Sequence, residues 1–301
     1  MGGAARSWRL CPRRSFRVPS KTTLTSLLTL TPGPATSKVE YVVGGQSITT
    51  ADREIAAQML ADDAMSVRCG ESPTLQRWRA VRDGKTAPNV VSAATVQTYA
   101  AIGFGLDDAT ATSESRLNHL QGLVAELFWN RLLQERTTCS GGRRLVKAHP
   151  VKPDPLEPGG DGLVVYDVNG TYVFRLWEIK KHEATKPVSA TINRASKQLA
   201  TRGHEYLAKL AGPDTVEQRG PIGDFYAQVV NLWLDGSDRA GVGVSVGTSD
   251  THAPTKPVSF KSIGTAFPQF AGSGQTESVV VAVPDFPGFA LRVRKIVWSG
   301  L

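Results

Sequence analysis

The chain has 301 residues, 21 % of them charged and 41 % hydrophobic, which is the balance of an ordinary globular protein with one large domain or a domain and a smaller partner. No apolar run approaches the roughly 18–20 residues needed to cross a bilayer, so a transmembrane reading is excluded and a cytoplasmic protein is expected. The net charge of +8 argues for nucleic acid only weakly, because seven basic residues (Arg6, Arg9, Arg13, Arg14, Arg17, Lys21 and Lys38) lie in an acid-free stretch, residues 1–38. The remainder is close to neutral, and any DNA-binding surface on it has to be a local patch.

Residues 1–38 are rich in Arg, Ser, Thr and Pro and read as a disordered basic arm in preference to an organelle-targeting segment. Residues 39–115 form a small helical or mixed region and a linker. In it Thr49 or Thr50 caps a helix over 51–65, with Ile55, Ala56, Met59 and Leu60 on one face, and a second helix covers 91–102. From residue 116 the pattern sharpens. Leu117, Leu120, Leu123, Val124, Leu127, Phe128 and Leu132 recur at helical spacing and predict an amphipathic helix over 116–136. Gly141-Gly142 breaks the chain, and a strand follows over 144–151. Two further strands, 161–168 and 171–181, are joined by Asn169-Gly170, the strongest short hairpin signal. A basic helix is expected over 189–210, then strands over 225–234, 241–246 and 279–283, and a terminal segment over 288–298. The order is that of an α/β protein with a mixed central sheet flanked by helices. Cys11, Cys69 and Cys139 are too scattered for a disulfide framework or a zinc site.

The hairpin serves as a ruler. With Asn169-Gly170 at its tip, Val168 faces Thr171, and by the same count Asp161 faces Glu178, about 4.5–5.5 Å away between Cβ atoms. Strand alternation places Lys180 beside Glu178, on the face shared by Leu163, Val165, Phe174 and Leu176. Two opposed carboxylates at the end of a buried strip resist joint ionisation, and a divalent cation relieves them. Asp154, in the Pro-rich stretch 152–158, is a poorer partner because that stretch is weak strand material.

Asp161 at one strand start and Glu178-Ile179-Lys180 near the end of the next resemble the PD-(D/E)xK, or restriction-endonuclease-like, nuclease superfamily. The resemblance covers roughly residues 116–235 and implies a nuclease-like domain over 116–301. In that scheme Asp161, Glu178 and the Ile179 carbonyl hold Mg²⁺ or Mn²⁺, and Lys180 positions the attacking water. Glu126 joins from the first helix through a metal-bound water. The family's nominal Pro-Asp occurs here at Pro153-Asp154, whereas Asp161 follows two glycines. Lys181, Arg194, Lys197, Gln198 and Arg202 make a basic ridge suited to a DNA backbone, with Arg194, Gln198 and Arg202 on one helix face.

The resemblance thus implies a metal-dependent DNA endonuclease. A narrower likeness, to the nuclease effector of Hachiman-type antiphage systems, implies a separate helicase partner. The rival is a nucleic-acid-binding or scaffold protein that keeps the fold without a working site. The chain lacks a Gly-x-Ser-x-Gly elbow, a Walker A loop and a Rossmann fingerprint.

Overall fold

The computed structural model describes residues 22–106, 114–136, 142–152, 160–183 and 185–301. Its centre is the hairpin. Strands β4 (Gly162–Val168) and β5 (Thr171–His182) pair antiparallel, from Val168 with Thr171 to Gly162 with Trp177, in the register that Asn169-Gly170 predicts. Asn169 and Gly170 both take positive φ, 50° and 84°, and the Gly170 amide donates to Asp167 Oδ1 at 2.7 Å. These are the torsions a two-residue turn needs to follow the strand twist.

The elements that precede the hairpin are α1 (Leu24–Leu28), β1 (Thr31–Pro32), β2 (Glu40–Gly44), α2 (Thr50–Cys69), α3 (Pro73–Arg82), α4 (Ala93–Phe104), α5 (Glu114–Glu135) and β3 (Arg144–Ala148). After it come α6 (Val188–Glu217), α7 (Pro221–Leu234), β6 (Val242–Ser249), two single-turn 3₁₀ helices (Asp250–His252 and Pro257–Phe260), α8 (Lys261–Ala266), β7 (Thr276–Val283) and α9 (Phe286–Ser299). The seven strands form one mixed sheet in the order β1-β2-β7-β6-β5-β4-β3. Strands β3, β4 and β5 run antiparallel, whereas β5, β6, β7 and β2 are parallel. The carboxyl ends of β5, β6 and β7 therefore gather at one edge, together with the start of β4.

Each face of the sheet carries its own core, so β6 and β7 are buried along their whole length. Val164, Tyr166, Trp177 and Ile179 pack with α2, α5 and α9, while Leu163, Val165, Phe174 and Leu176 pack with α6 and α7. The alternation places the strip read from the sequence on the α6 side. Among the described residues no helix is long and apolar enough to cross a membrane.

Three expectations need correction. Residues 225–234 belong to α7, not to a strand: Phe225, Tyr226, Val229 and Trp233 are buried at helical spacing, and Pro221 occupies the first turn, where its missing N–H costs nothing. The arm does not extend to residue 38, because α1 buries Leu24, Leu27 and Leu28 in the same core as α2 and α5. The described part of residues 39–115 likewise shares the core of the sheet and α5. Strand β2 adds to the sheet beside β7, and α2, capped by Thr49, packs on α9 and α5.

Candidate functional site

Two glycines bring the layers together around Asp161. A Cβ on Gly160 would stand 2.7 Å from the Tyr206 side chain of α6, and one on Gly162 would stand 2.0 Å from the Trp129 ring of α5. Asp161 thus leads into β4 at a point where both helix layers touch the backbone. Its Oδ2 accepts a hydrogen bond of 2.7 Å from the Ile179 amide of β5. On β6, Gly247 allows the same closeness: a Cβ there would meet Ala125 of α5 at 2.9 Å, which seats Glu126 at the same sheet edge.

Glu126, Asp161, Glu178 and Lys180 form one electrostatic cluster. Glu178 is fully buried, its carboxylate touches the Lys180 ammonium, and its other oxygen has no hydrogen-bond partner among the described residues. Burial and then the Asp161 charge push its carboxyl up to about 7, against the pull of Lys180. Glu126 is pushed up to about 8, first by burial and then by Asp161. Burial also raises Asp161, opposed by Lys180 and the Ile179 amide. Lys180 is raised: burial acts to lower it, and the carboxylates of Glu178 and Asp161 outweigh that burial. The arrangement stores unfavourable negative charge that a cation would release.

The chemistry of the donor set fits a hard divalent ion that keeps several waters, with the unpartnered Glu178 oxygen as the vacant ligand. Among the described residues no group of three or more His, Cys, Asp or Glu side chains is arranged to hold a metal by itself.

One member of the cluster was missed by the pattern reading. The Lys152 charge acts on Glu126, Asp161 and Glu178 alike. It lies outside any regular element, and the Pro-rich composition of residues 152–158 hid it. Pro153 and Asp154 lie outside the described residues.

The basic ridge is split. Arg194 lies close enough to influence Lys180, and Arg202 feels the charge of Glu178. Arg202 also pairs with Glu205 at 3.1 Å and stacks over Tyr206 at 5.2 Å. Gln198 hydrogen-bonds the Tyr206 hydroxyl at 3.0 Å, which makes it a brace within α6. Lys197 lines a separate groove between α6 and α8, and Lys181 donates to Asn118 of α5 at 2.5 Å.

Comparison with known protein families and with curated proteins finds no match.

Proposed function

We propose that the chain is a Mg²⁺- or Mn²⁺-dependent DNA endonuclease with a PD-(D/E)xK type of site and a restriction-endonuclease-like core. The observation that carries this reading is Glu178: a fully buried carboxylate with an unpartnered oxygen, beside Asp161 and Lys180 at the carboxyl edge of parallel strands. Ligands in open α/β sheets bind at that edge. A structural ion pair alone would leave no reason to gather a second and third carboxylate beside it.

Asp161, Glu178 and the Ile179 carbonyl would hold the cation. When bound, it supplies Lewis-acid stabilisation of the phosphate and lowers the pKa of its water. Lys180, released from Glu178, orients the attacking water and offsets charge on the phosphate. Glu126, raised by burial and by the Asp161 charge, would join through a metal-bound water. Arg194 and Arg202 guide the strand past the carboxylates.

The test compares wild type with Lys180→Ala and Glu178→Gln on DNA, with Mg²⁺ and with Mn²⁺. Lys180→Ala should lose at least about 100-fold in cleavage rate while binding DNA normally, because the lysine acts on the transition state more than on the ground state. Glu178→Gln should instead lose cation binding in calorimetry. Equal rates for wild type and Lys180→Ala would establish the non-catalytic reading in its place.

A further inference from the structure

Two stretches of the chain, residues 184–204 and 251–276, carry no Asp or Glu, and they hold Lys186, Arg194, Lys197, Arg202, Lys256 and Lys261. In a body that is otherwise close to neutral, this is a local concentration of positive charge. The fold sets the two stretches side by side. The first forms the start of α6, and the second includes α8 and the 3₁₀ helix before it, which pack on α6. A groove of about 690 Å³ runs between them.

Ser189, Asn193 and Lys197, spaced four residues apart on one helix face, line one side of the groove, and Ser259 and Lys261 line the other. Both lysines are exposed, and among the described residues neither is in a salt bridge. Among the described residues neither an acid nor an aromatic ring lines the groove. The acids that border the two stretches are engaged elsewhere. Glu183 accepts from the Ser249 amide at 2.6 Å, and Glu205 pairs with Arg202 at 3.1 Å. Asp250 accepts from the Thr251 amide at 2.9 Å, and Glu277 pairs with Arg143 at 3.0 Å.

Unpaired ammonium groups set among hydroxyls and an amide match phosphate oxygens, which accept hydrogen bonds from all three. The lack of rings removes the stacking platform on which single strands are held. Contacts of this kind fix a duplex by its backbone and carry no sequence information. The groove is also placed to act with the carboxylate cluster. Asn193 faces the groove, while Arg194, the next residue, lies close enough to influence Lys180. The two places thus lie on neighbouring faces of one helix. A helix is about 10–12 Å across and each strand of a duplex carries a phosphate every ~3.4 Å along the axis, so contacts at the two places are about three to four base pairs apart.

We propose that the groove between α6 and α8 is a second contact for duplex DNA, in which Lys197 and Lys261 hold backbone phosphates away from the carboxylate cluster and no base is read. The inference deepens the nuclease reading, on which it rests for the identity of the polyanion. Binding in the groove itself needs neither metal nor cleavage.

The full-length protein, kept in EDTA, is titrated with short fluorescent duplexes of unrelated sequence over a range of salt concentrations. Lys197→Ala and Lys261→Ala should each reduce the slope of log affinity against log salt by about 0.9, and the double variant should weaken binding roughly tenfold. The loss should be the same for every duplex sequence, and Lys197→Arg and Lys261→Arg should keep the wild-type slope. Lys295→Ala, an exposed lysine of α9 on the other face of the sheet, should leave the slope unchanged. A double variant that binds duplex as wild type does, a loss with Lys295→Ala equal to that with Lys197→Ala, or tighter binding of a single strand of the same length would overturn the proposal. So would equal affinity for poly-glutamate, which would mark the groove as a surface for an acidic protein. The slopes are read without metal, so the two readings fail separately. Equal cleavage by wild type and Lys180→Ala with these slopes intact overturns the catalytic reading alone, and unchanged slopes beside Lys180-dependent cleavage overturn the groove alone.

Discussion

Gly160 and Gly162 matter because they have no side chain on either side of Asp161. Adding one methyl at Gly162 drives it into Trp129, a ring that is fully buried and packed against Trp177 at 5.9 Å. Overpacking of this kind costs roughly 1–3 kcal/mol. Gly162→Ala should therefore lower the denaturation midpoint and loosen cation binding together, because Asp161 is displaced with the strand. Urea unfolding and calorimetry on the same variant check this, and a destabilised protein with unchanged cation affinity would break the link. Glu277 shows a different use of a buried carboxylate. It lies 3.0 Å from Arg143 and 3.4 Å from Arg136, and Arg175 stands 3.7 Å away. Its charge is fully answered, in contrast to Glu178. Glu277→Ala should cost about 3–5 kcal/mol, since Arg175 would stay buried without its counter-charge and Arg143 would keep only Glu40 at 3.3 Å. A loss under about 1 kcal/mol in chemical denaturation would show that the arginines find other partners.

Among the elements, α1 is the one whose worth is easiest to underestimate. It has five residues, but it buries three leucines, and Glu135 of α5 accepts hydrogen bonds from Leu24 N, Thr25 N and the Thr25 hydroxyl at 2.8–2.9 Å. Deleting residues 1–30 should lower the melting temperature by roughly 5–10 °C, given a few kcal/mol of lost burial. An unchanged melting temperature would mean that α1 adds nothing to the core. Leu24, Leu27 and Leu28 do stand at helical spacing, but five residues are less than two turns, too short a window for the pattern that exposes α5 to expose α1. The same physics explains the other gains and losses. The hairpin was legible because its turn is local: Asn169 and Gly170 accept positive φ, and alternation carries the register from there to Asp161 and Glu178. Strand β2 was not, because its partner is β7, more than 230 residues away, and five residues of strand carry no local signature. Helix α7 was misread because its apolar residues run almost continuously, and only Pro221 and the spacing of its buried positions reveal a helix. Lys152 was hidden for a third reason: its role comes from where an irregular segment passes.

At the scale of the whole molecule, two buried groups pull the pH dependence of stability in opposite directions. His149, wedged between Asp214 at 3.2 Å and the Tyr226 hydroxyl at 3.5 Å, is lowered from 6.5 to about 4, by burial and then by Lys147. The unfolded chain therefore binds more protons between those values, and stability rises with pH until about 6.5 and then levels. The carboxylate cluster has the other sign. Glu178 at about 7 and Glu126 at about 8 are raised from 4.5, so the folded state binds more protons and stability falls as pH climbs from about 4.5 through 8. Between about 6.5 and 8 His149 is silent, and the cluster acts alone. In EDTA the melting temperature should fall across that window, by an amount on the order of 1–3 kcal/mol in stability. Mg²⁺ should flatten the curve by answering the charges that the rising pH exposes. Asp161→Asn should make it shallower without metal, since the charge that adds to burial in raising both glutamates is gone. Melting curves at pH 6.5, 7.25 and 8.0, with and without Mg²⁺, decide the matter. A flat or rising metal-free curve would show that the carboxylates are not held close enough to share an ion.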